Sequence, residues 1–184
     1  MPEERTDEEI AKMVQNGDKE AFGVLIERFS KRLLRYGHRF MGKKEDIEDL
    51  VQEIFIKSYI NIQSFDTNRR FSPWIYRIAH NEFVNAMKKK ARYPFMTLDF
   101  DSLLPHLRAK ETADRDSEIR EMRTAIDKGL DALPPKYREP VVLYFLEEME
   151  YKEIADILRI PISTVGVRIQ RAKKLLKEKI NYER

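Results

Sequence analysis

Residues 151–176 read YKEIADILRIPISTVGVRIQRAKKLL. Ile154, Ile157 and Leu158 recur at helical spacing in the first part, and Ile162, Val165, Ile169 and Ala172 do so in the second. Ala155 is small enough to let a second helix cross close by. Arg159–Ile162 breaks the pattern as a tight turn. Two short helices joined this way, the second one basic, describe a helix-turn-helix. Ser163 or Thr164 is expected to cap the second helix and offer its backbone N–H groups to a phosphate. Arg168, Gln170, Arg171, Lys173 and Lys174 point off the apolar stripe, where they reach phosphates or base edges. A solvated face on a plain helical hairpin is the bland alternative, and the combination of turn, cap and basic face favours DNA.

Toward the N-terminus the helical period continues. Val141, Val142, Phe145 and Leu146 mark a helix opened by Pro134-Pro135, and Ile119, Met122, Ile126, Leu130 and Leu133 mark another before it. Residues 94–116, PFMTLDFDSLLPHLRAKETADRD, lose the period and read as a linker. Four further helices are expected upstream. Thr6 to Glu9 form a capping box ahead of Ile10, Met13 and Val14, and Gly17 stops that helix. Asp18 caps the next, striped by Phe22, Leu25, Ile26, Phe29 and Leu33 and ended near Gly42. A third spans 44–61 on Ile47, Leu50, Val51, Ile54 and Phe55, and a fourth, with Pro73 in its first turn, runs to about Lys90. The expected fold is all-α: two small helical domains, 1–93 and 117–184, joined by the flexible linker 94–116, the C-terminal one a helix-turn-helix.

Composition narrows the function. The chain has 184 residues, of which 36% are charged, and contains no cysteine, so disulfide frameworks and thiolate metal sites are excluded. The acidic start MPEERTDEEI is not expected to act as a signal peptide, and no apolar run approaches the roughly 18–20 residues of a membrane span. A cytoplasmic location without membrane insertion is expected. His38, His80 and His106 fall in unrelated contexts with no HExxH or P-loop motif, so no catalytic residue, metal ligand or cofactor is expected. The net charge of +3 hides a strong pattern: residues 67–93 carry 7 basic and 1 acidic side chain, and residues 151–184 carry 9 and 4. Two basic islands on an acidic chain suit two separate contacts with a polyanion.

The first island contains FSPWIYRIAHNEFVNAMKKK at 71–90. Exposed aromatics beside cations suit single-stranded nucleic acid, whose bases stack on rings while cations hold the backbone. Arg77, Asn81, Asn85 and Lys88 share one helix face, and Phe65, Trp74, Tyr76 and Asn81 are placed to frame a pocket. For most of Phe71, Trp74, Ile75, Ile78 and Ala79, an ordinary core role is the plainer reading.

Four segments, EDLVQEIFIKSY (48–59), FSPWIYRIAHN (71–81), LPPKYREPVVLYFLEEM (133–149) and EIADILRIPISTVGVRIQRAKKLL (153–176), occur in the order and spacing of the bacterial sigma factors. The chain resembles their small extracytoplasmic-function (ECF) group. That resemblance implies a protein that binds core RNA polymerase, directs it to promoters and helps melt the −10 region. It implies that 1–93 reads the −10 element and 117–184 the −35 element. Asp49, Gln52 and Glu53 match the segment that docks on the clamp helices of the largest polymerase subunit, and the flap on the −35 side is a second contact. Phe65 and Asn81 match positions that hold a flipped base, with Lys88–Lys90 on the backbone nearby, while an anti-sigma protein is the implied regulator. Pro140, Arg159, Gly166 and Glu82 depart from the family's pattern. A one-component regulator with a ligand-sensing first domain is the rival reading, but it needs neither the basic 67–93 island nor the docking segment.

Overall fold

The computed structural model describes residues 5–92 and 126–182, with side chains at 5–90 and 126–178. Among the described residues there are helices and turns and no strand. They fall into two compact units.

The first unit begins with α1, Asp7–Gln15. Its capping box forms as the sequence predicts: Glu9 N–H donates to Thr6 Oγ1 at 3.2 Å, and Thr6 N–H donates to the Glu9 carboxylate at 2.8 Å. Gly17 ends the helix at φ +105°, where a side chain would be strained, and Asp18 N–H returns to Met13 C=O at 3.1 Å. Asp18 Oδ1 then accepts from Ala21 N–H at 3.1 Å and starts α2, Ala21–Gly37. Next come α3, Lys44–Asn61, a single 3₁₀ turn at Ile62–Ser64, and α4, Phe71–Arg92.

Four amphipathic helices share one core. Leu25, Phe29, Leu33 and Tyr36 of α2 meet Ile47 and Ile54 of α3 and Phe71, Ile75, Tyr76 and Phe83 of α4, each at most 1% exposed. Each such side chain contributes about 1.5–3 kcal/mol through burial. Tyr36 anchors an aromatic cluster, with edge contacts to Phe40, Tyr76 and Phe83 at 5.0, 5.1 and 6.0 Å. α2 stops at Gly37, earlier than the expected Gly42, because α3 and α4 close on it there. A Cβ on Gly37 would lie 2.6 Å from both Ile47 Cγ2 and Phe83 Cζ. The chain then turns, and the N–H groups of Phe40 and Met41 both return to Gly37 C=O.

The second unit contains a helical stretch at 126–131 (α5, its start outside the described residues), then α6, Pro135–Phe145, α7, Tyr151–Leu158, and α8, Ile162–Tyr182. The predicted linker and the helix start at Ile119 and Met122 also lie outside the described residues. Leu133, Leu143, Ile154, Ile157, Val165, Ile169 and Ala172 are at most 1% exposed and form the core. Periodicity misplaces several edge residues: Ile26, Ile126, Phe145, Leu146 and Ile162 are exposed. Pro140 does not break its helix; α6 runs through it, and the ring is buried.

The helix-turn-helix turn resolves the Arg159 departure. Arg159 adopts the left-handed conformation at φ +53°, and Ile160 N–H reaches back to Ala155 C=O at 3.1 Å. The motif normally suits glycine, so arginine carries backbone strain of about 1–2 kcal/mol. Gly166, the other departure on this motif, is open to substitution: a Cβ there would sit 3.5 Å from the Tyr151 ring, an ordinary contact. Gly166→Ala should therefore stabilise the unit by roughly 0.5–1 kcal/mol through helix propensity alone. A thermal melt checks this; an unchanged or lower midpoint contradicts it.

Candidate nucleic-acid interface

The first candidate surface is the outer face of α4 and the loop before it. Arg77, Asn85 and Lys88 are exposed, and Asn81 is half-buried on the same line. The inner line of the helix holds Ile75, Tyr76, Ala79 and Phe83, all at 0% exposure, which turns the polar line toward solvent. The aromatics divide differently from the sequence expectation. Trp74 is half-buried, while Phe65 is 5% and Tyr76 0% exposed. Phe65 packs at 5.3 Å from the rings of both Phe71 and Trp74, and Tyr76 lies against Tyr36. Both are therefore walls beneath a surface, with Trp74 and Asn81 nearer to solvent. Tyr76 belongs to the helical core, so a pocket rim containing it is corrected.

Three hydrogen-bond systems hold the loop that carries Phe65. Gln15 Nε2, from the end of α1, donates to the carbonyls of Ile62 and Phe65 at 2.7 and 2.8 Å. Glu8 of α1 accepts from Phe71 N–H at 2.8 Å and so satisfies one of the open amides that start α4. Asp66 Oδ1 accepts from both the backbone and the side-chain amide of Asn68 at 3.0 Å. Those bonds, chiefly the backbone one, hold the Asp66 carboxyl below its usual range. Stability from a depressed carboxyl is present above its unfolded pKa and fades as pH falls through the folded value, so this turn is fully tied near neutrality. Sequence spacing signals only the Asp66–Asn68 turn; Gln15 and Glu8 act across the fold and leave no local pattern.

On α3, Asp49, Gln52 and Glu53 are exposed together, opposite the buried Ile47, Val51, Ile54 and Phe55. Lys57 links this face to α4. Its ammonium pairs with Glu53 at 2.9 Å and with Glu82, whose side chain is 16% exposed. Glu82, and behind it Glu53, hold the Lys57 ammonium above the usual lysine range. Glu82 is thus a charge with a partner. At the far end of α4, Lys90 turns toward Asp46 at 3.4 Å, leaving Lys88 and Lys89 as the exposed cations of the triple lysine.

The second candidate surface is α8. Pro161 stands at the cap: Thr164 and Val165 N–H both return to its carbonyl. Ser163 and Thr164 therefore sit in the first turn rather than at the cap, a correction caused by the helix starting at Ile162. Ser163, Gln170, Arg171, Lys173 and Lys174 are exposed, and Thr164 and Arg168 are half-buried at the edge. Two aromatics of α6 hold cations of this helix. Arg171 hydrogen-bonds the Tyr137 hydroxyl, which, with the nearby Lys136, holds that phenol below its usual range. Lys173 Nζ lies 5.1 Å from the Phe145 ring centre, so the exposed Phe145 supports a cation. Sequence pattern placed Phe145 on the apolar stripe of its helix rather than under a cation, and did not single out Tyr137.

Comparison with known proteins gives both surfaces a common frame. Sigma-70 region 2 matches residues 25–93, and Sigma-70 region 4 matches residues 123–176. The ECF RNA polymerase sigma factor SigW of Bacillus subtilis is 33% identical over 92% of this chain and 94% of its own. The chain belongs to the ECF group of the sigma-70 family.

The ECF RNA polymerase sigma-E factor of Haemophilus influenzae is also 33% identical to this sigma factor, over 98% of each chain. The fold agrees with CnrH, solved with the cytosolic domain of CnrY: the TM-score is 0.68 at 24% identity, covering 97% of this sigma factor and 99% of CnrH. RpoE of Bartonella quintana, solved with the anti-sigma factor NepR, gives 0.68 at 23% identity over 89% and 98%. This sigma factor serves promoter-directed transcription initiation. The region 2 match spans most of α2 and all of α3 and α4, and begins after α1, whose Gln15 and Glu8 nevertheless secure the loop. Among the described residues no helix is long and apolar enough to cross a membrane, and no cluster of His, Asp and Glu is arranged to hold a metal.

Proposed function

We propose that this sigma factor divides promoter opening between its two units, 1–93 and 117–184. The observation that carries the reading is α4: a solvent-facing line of Arg77, Asn81, Asn85 and Lys88 above a packed aromatic layer. Core polymerase docks through its clamp helices on Asp49, Gln52 and Glu53, and its flap meets the −35 unit. Bases of the melted −10 strand then lie along α4, with Trp74 and Asn81 taking the flipped base above the Phe65 wall. α8 enters the major groove of the −35 duplex through Arg168, Gln170, Arg171 and Lys173, with the first-turn amides at Ser163 and Thr164 on a phosphate. The protein contributes binding energy and no bond-making chemistry, works in the cytoplasm, and needs no cofactor. An anti-sigma protein is the natural regulator, by analogy with RpoE of Bartonella quintana, which is solved in complex with the anti-sigma factor NepR.

Asp49→Lys tests the docking face more cleanly than a change at Glu53, whose carboxylate also pairs with Lys57. The variant should bind core polymerase at least several-fold more weakly while melting normally; unchanged affinity for core removes the assignment. Arg168→Ala should cost about 1–3 kcal/mol of −35 affinity if the guanidinium reads guanine. A loss shared by all sequences, with the salt slope reduced by about one, marks a phosphate contact instead. Full-strength binding with unchanged salt dependence removes Arg168 from the interface.

A further inference from the structure

The inner line of α8 is sharply defined, since Val165, Ile169 and Ala172 are all at 0% exposure. At about 100° per residue, the opposite line runs Ser163, Val167, Gln170 and Lys174. All four are exposed, Val167 at 50%. A lone exposed apolar side chain is ordinary on a protein surface. Val167 differs in its position: it shares the crest of α8 with the polar Ser163, Gln170 and Lys174, whereas the other exposed apolar residue among the described residues of the helix, Ile162, lies off that line. Val167 adds nothing to the core there, and a β-branched residue is a weaker helix former than the lysines and glutamine near it.

We propose that Val167 is a specificity-determining residue that reads the C5-methyl group of a thymine in the −35 duplex. The inference rests on the reading of α8 as the −35 helix. Among the features that base edges present in the major groove, the thymine methyl is the apolar one, and an aliphatic side chain is its chemical match. The surrounding charge supplies the rest of the fit. Arg168 and Arg171 flank the crest on one side and Lys173 on the other, so phosphate contacts on both walls of the groove would seat Val167 at its floor. Gly166, beside it in sequence, faces the Tyr151 ring and takes no part.

Holoenzyme reassembled from core polymerase and the full chain provides the test. Duplex promoters with the −35 element mapped by run-off transcription are made with deoxyuridine replacing each −35 thymine in turn. This deletes one methyl and keeps the base pair. Wild-type closed-complex affinity should fall about fourfold at one thymine, the effect of one methyl-sized apolar contact. Val167→Ser should bind the unmodified promoter about as weakly as wild type binds that deoxyuridine promoter, and should lose nothing further on it. Val167→Ile should keep the sensitivity, and all three proteins should melt alike because the site is half exposed. Indifference of the wild type to every replacement, or undiminished sensitivity in Val167→Ser, overturns the proposal. Affinity that survives scrambling of the whole −35 element overturns the underlying reading of α8 instead, so the two failures are distinct.

Discussion

Phe65→Ala lowers the stability of the first unit by about 3–5 kcal/mol, the usual cost of emptying a buried aromatic site, whereas Asn81→Ala leaves its melting temperature in place and slows promoter opening. The contrast follows from exposure. Phe65 is 5% exposed and wedged between Phe71 and Trp74, so its removal leaves a void that the neighbouring rings fill only in part. Asn81 stands half-buried on the outer line of α4, where an amide finds a base edge only after the duplex has opened. Its loss should leave core binding and the closed complex intact and reduce open-complex formation by the roughly 1–3 kcal/mol of a side-chain amide paired with a base edge. Thermal melts beside open-complex kinetics check both halves. A Phe65→Ala protein that melts like wild type contradicts the wall assignment, and an Asn81→Ala protein that unfolds early contradicts the surface one.

The second large effect is expected at Gly37. Alanine there would place a methyl 2.6 Å from Ile47 Cγ2 and 2.6 Å from Phe83 Cζ, and both neighbours are fully buried. Neither can swing into solvent, so α2 must move off α3 and α4 or the rings must leave their favoured rotamers. A loss of about 2–3 kcal/mol is expected, which for a unit of this size lowers the melting temperature by roughly 10–20 °C. Gly23, whose Cβ would meet nothing within 4 Å, is the control: Gly23→Ala should hold or raise the midpoint. Equal behaviour of the two variants contradicts the packing described for α2.

These cases also mark what could be read from sequence. Features whose cause is local were legible: the Thr6–Glu9 capping box, the Gly17 stop, the limits of α3 and the extent of α7. Each depends on residues within a turn or two of one another. The inward lines of α3 and α8 were largely legible too, because helical period sets them, whereas on α4 Ile75 and Ala79 were legible and Tyr76 and Phe83 were not. Residues at the edge of a stripe were not, since period gives a direction and only the neighbouring element decides coverage; Ile26 and Ile162 emerge exposed for that reason. The same ambiguity placed Phe65 and Tyr76 on a rim when packing draws them beneath it. Contacts across the fold left no trace in spacing: Gln15 on the Phe65 loop, Glu8 at the start of α4, Lys57 between Glu53 and Glu82, and Tyr137 on Arg171. The family's departures show the point from the other side. Glu82 reads as an anomaly until Lys57 is brought to it, and Arg159 until its left-handed turn is seen.

The central claim is that this sigma factor opens promoter DNA by holding the melted −10 strand on α4. Permanganate reactivity of unpaired thymines tests it most directly, on one mapped promoter prepared both as a duplex and with a preformed −10 bubble. Core polymerase with the wild-type chain should make −10 thymines reactive on the duplex, and core alone should not. With Asn81→Ala, duplex reactivity should fall while complex formation on the bubble recovers the part of the loss due to opening. Duplex reactivity no greater than with core alone would contradict the account, as would an Asn81→Ala protein that opens the duplex as fast as wild type.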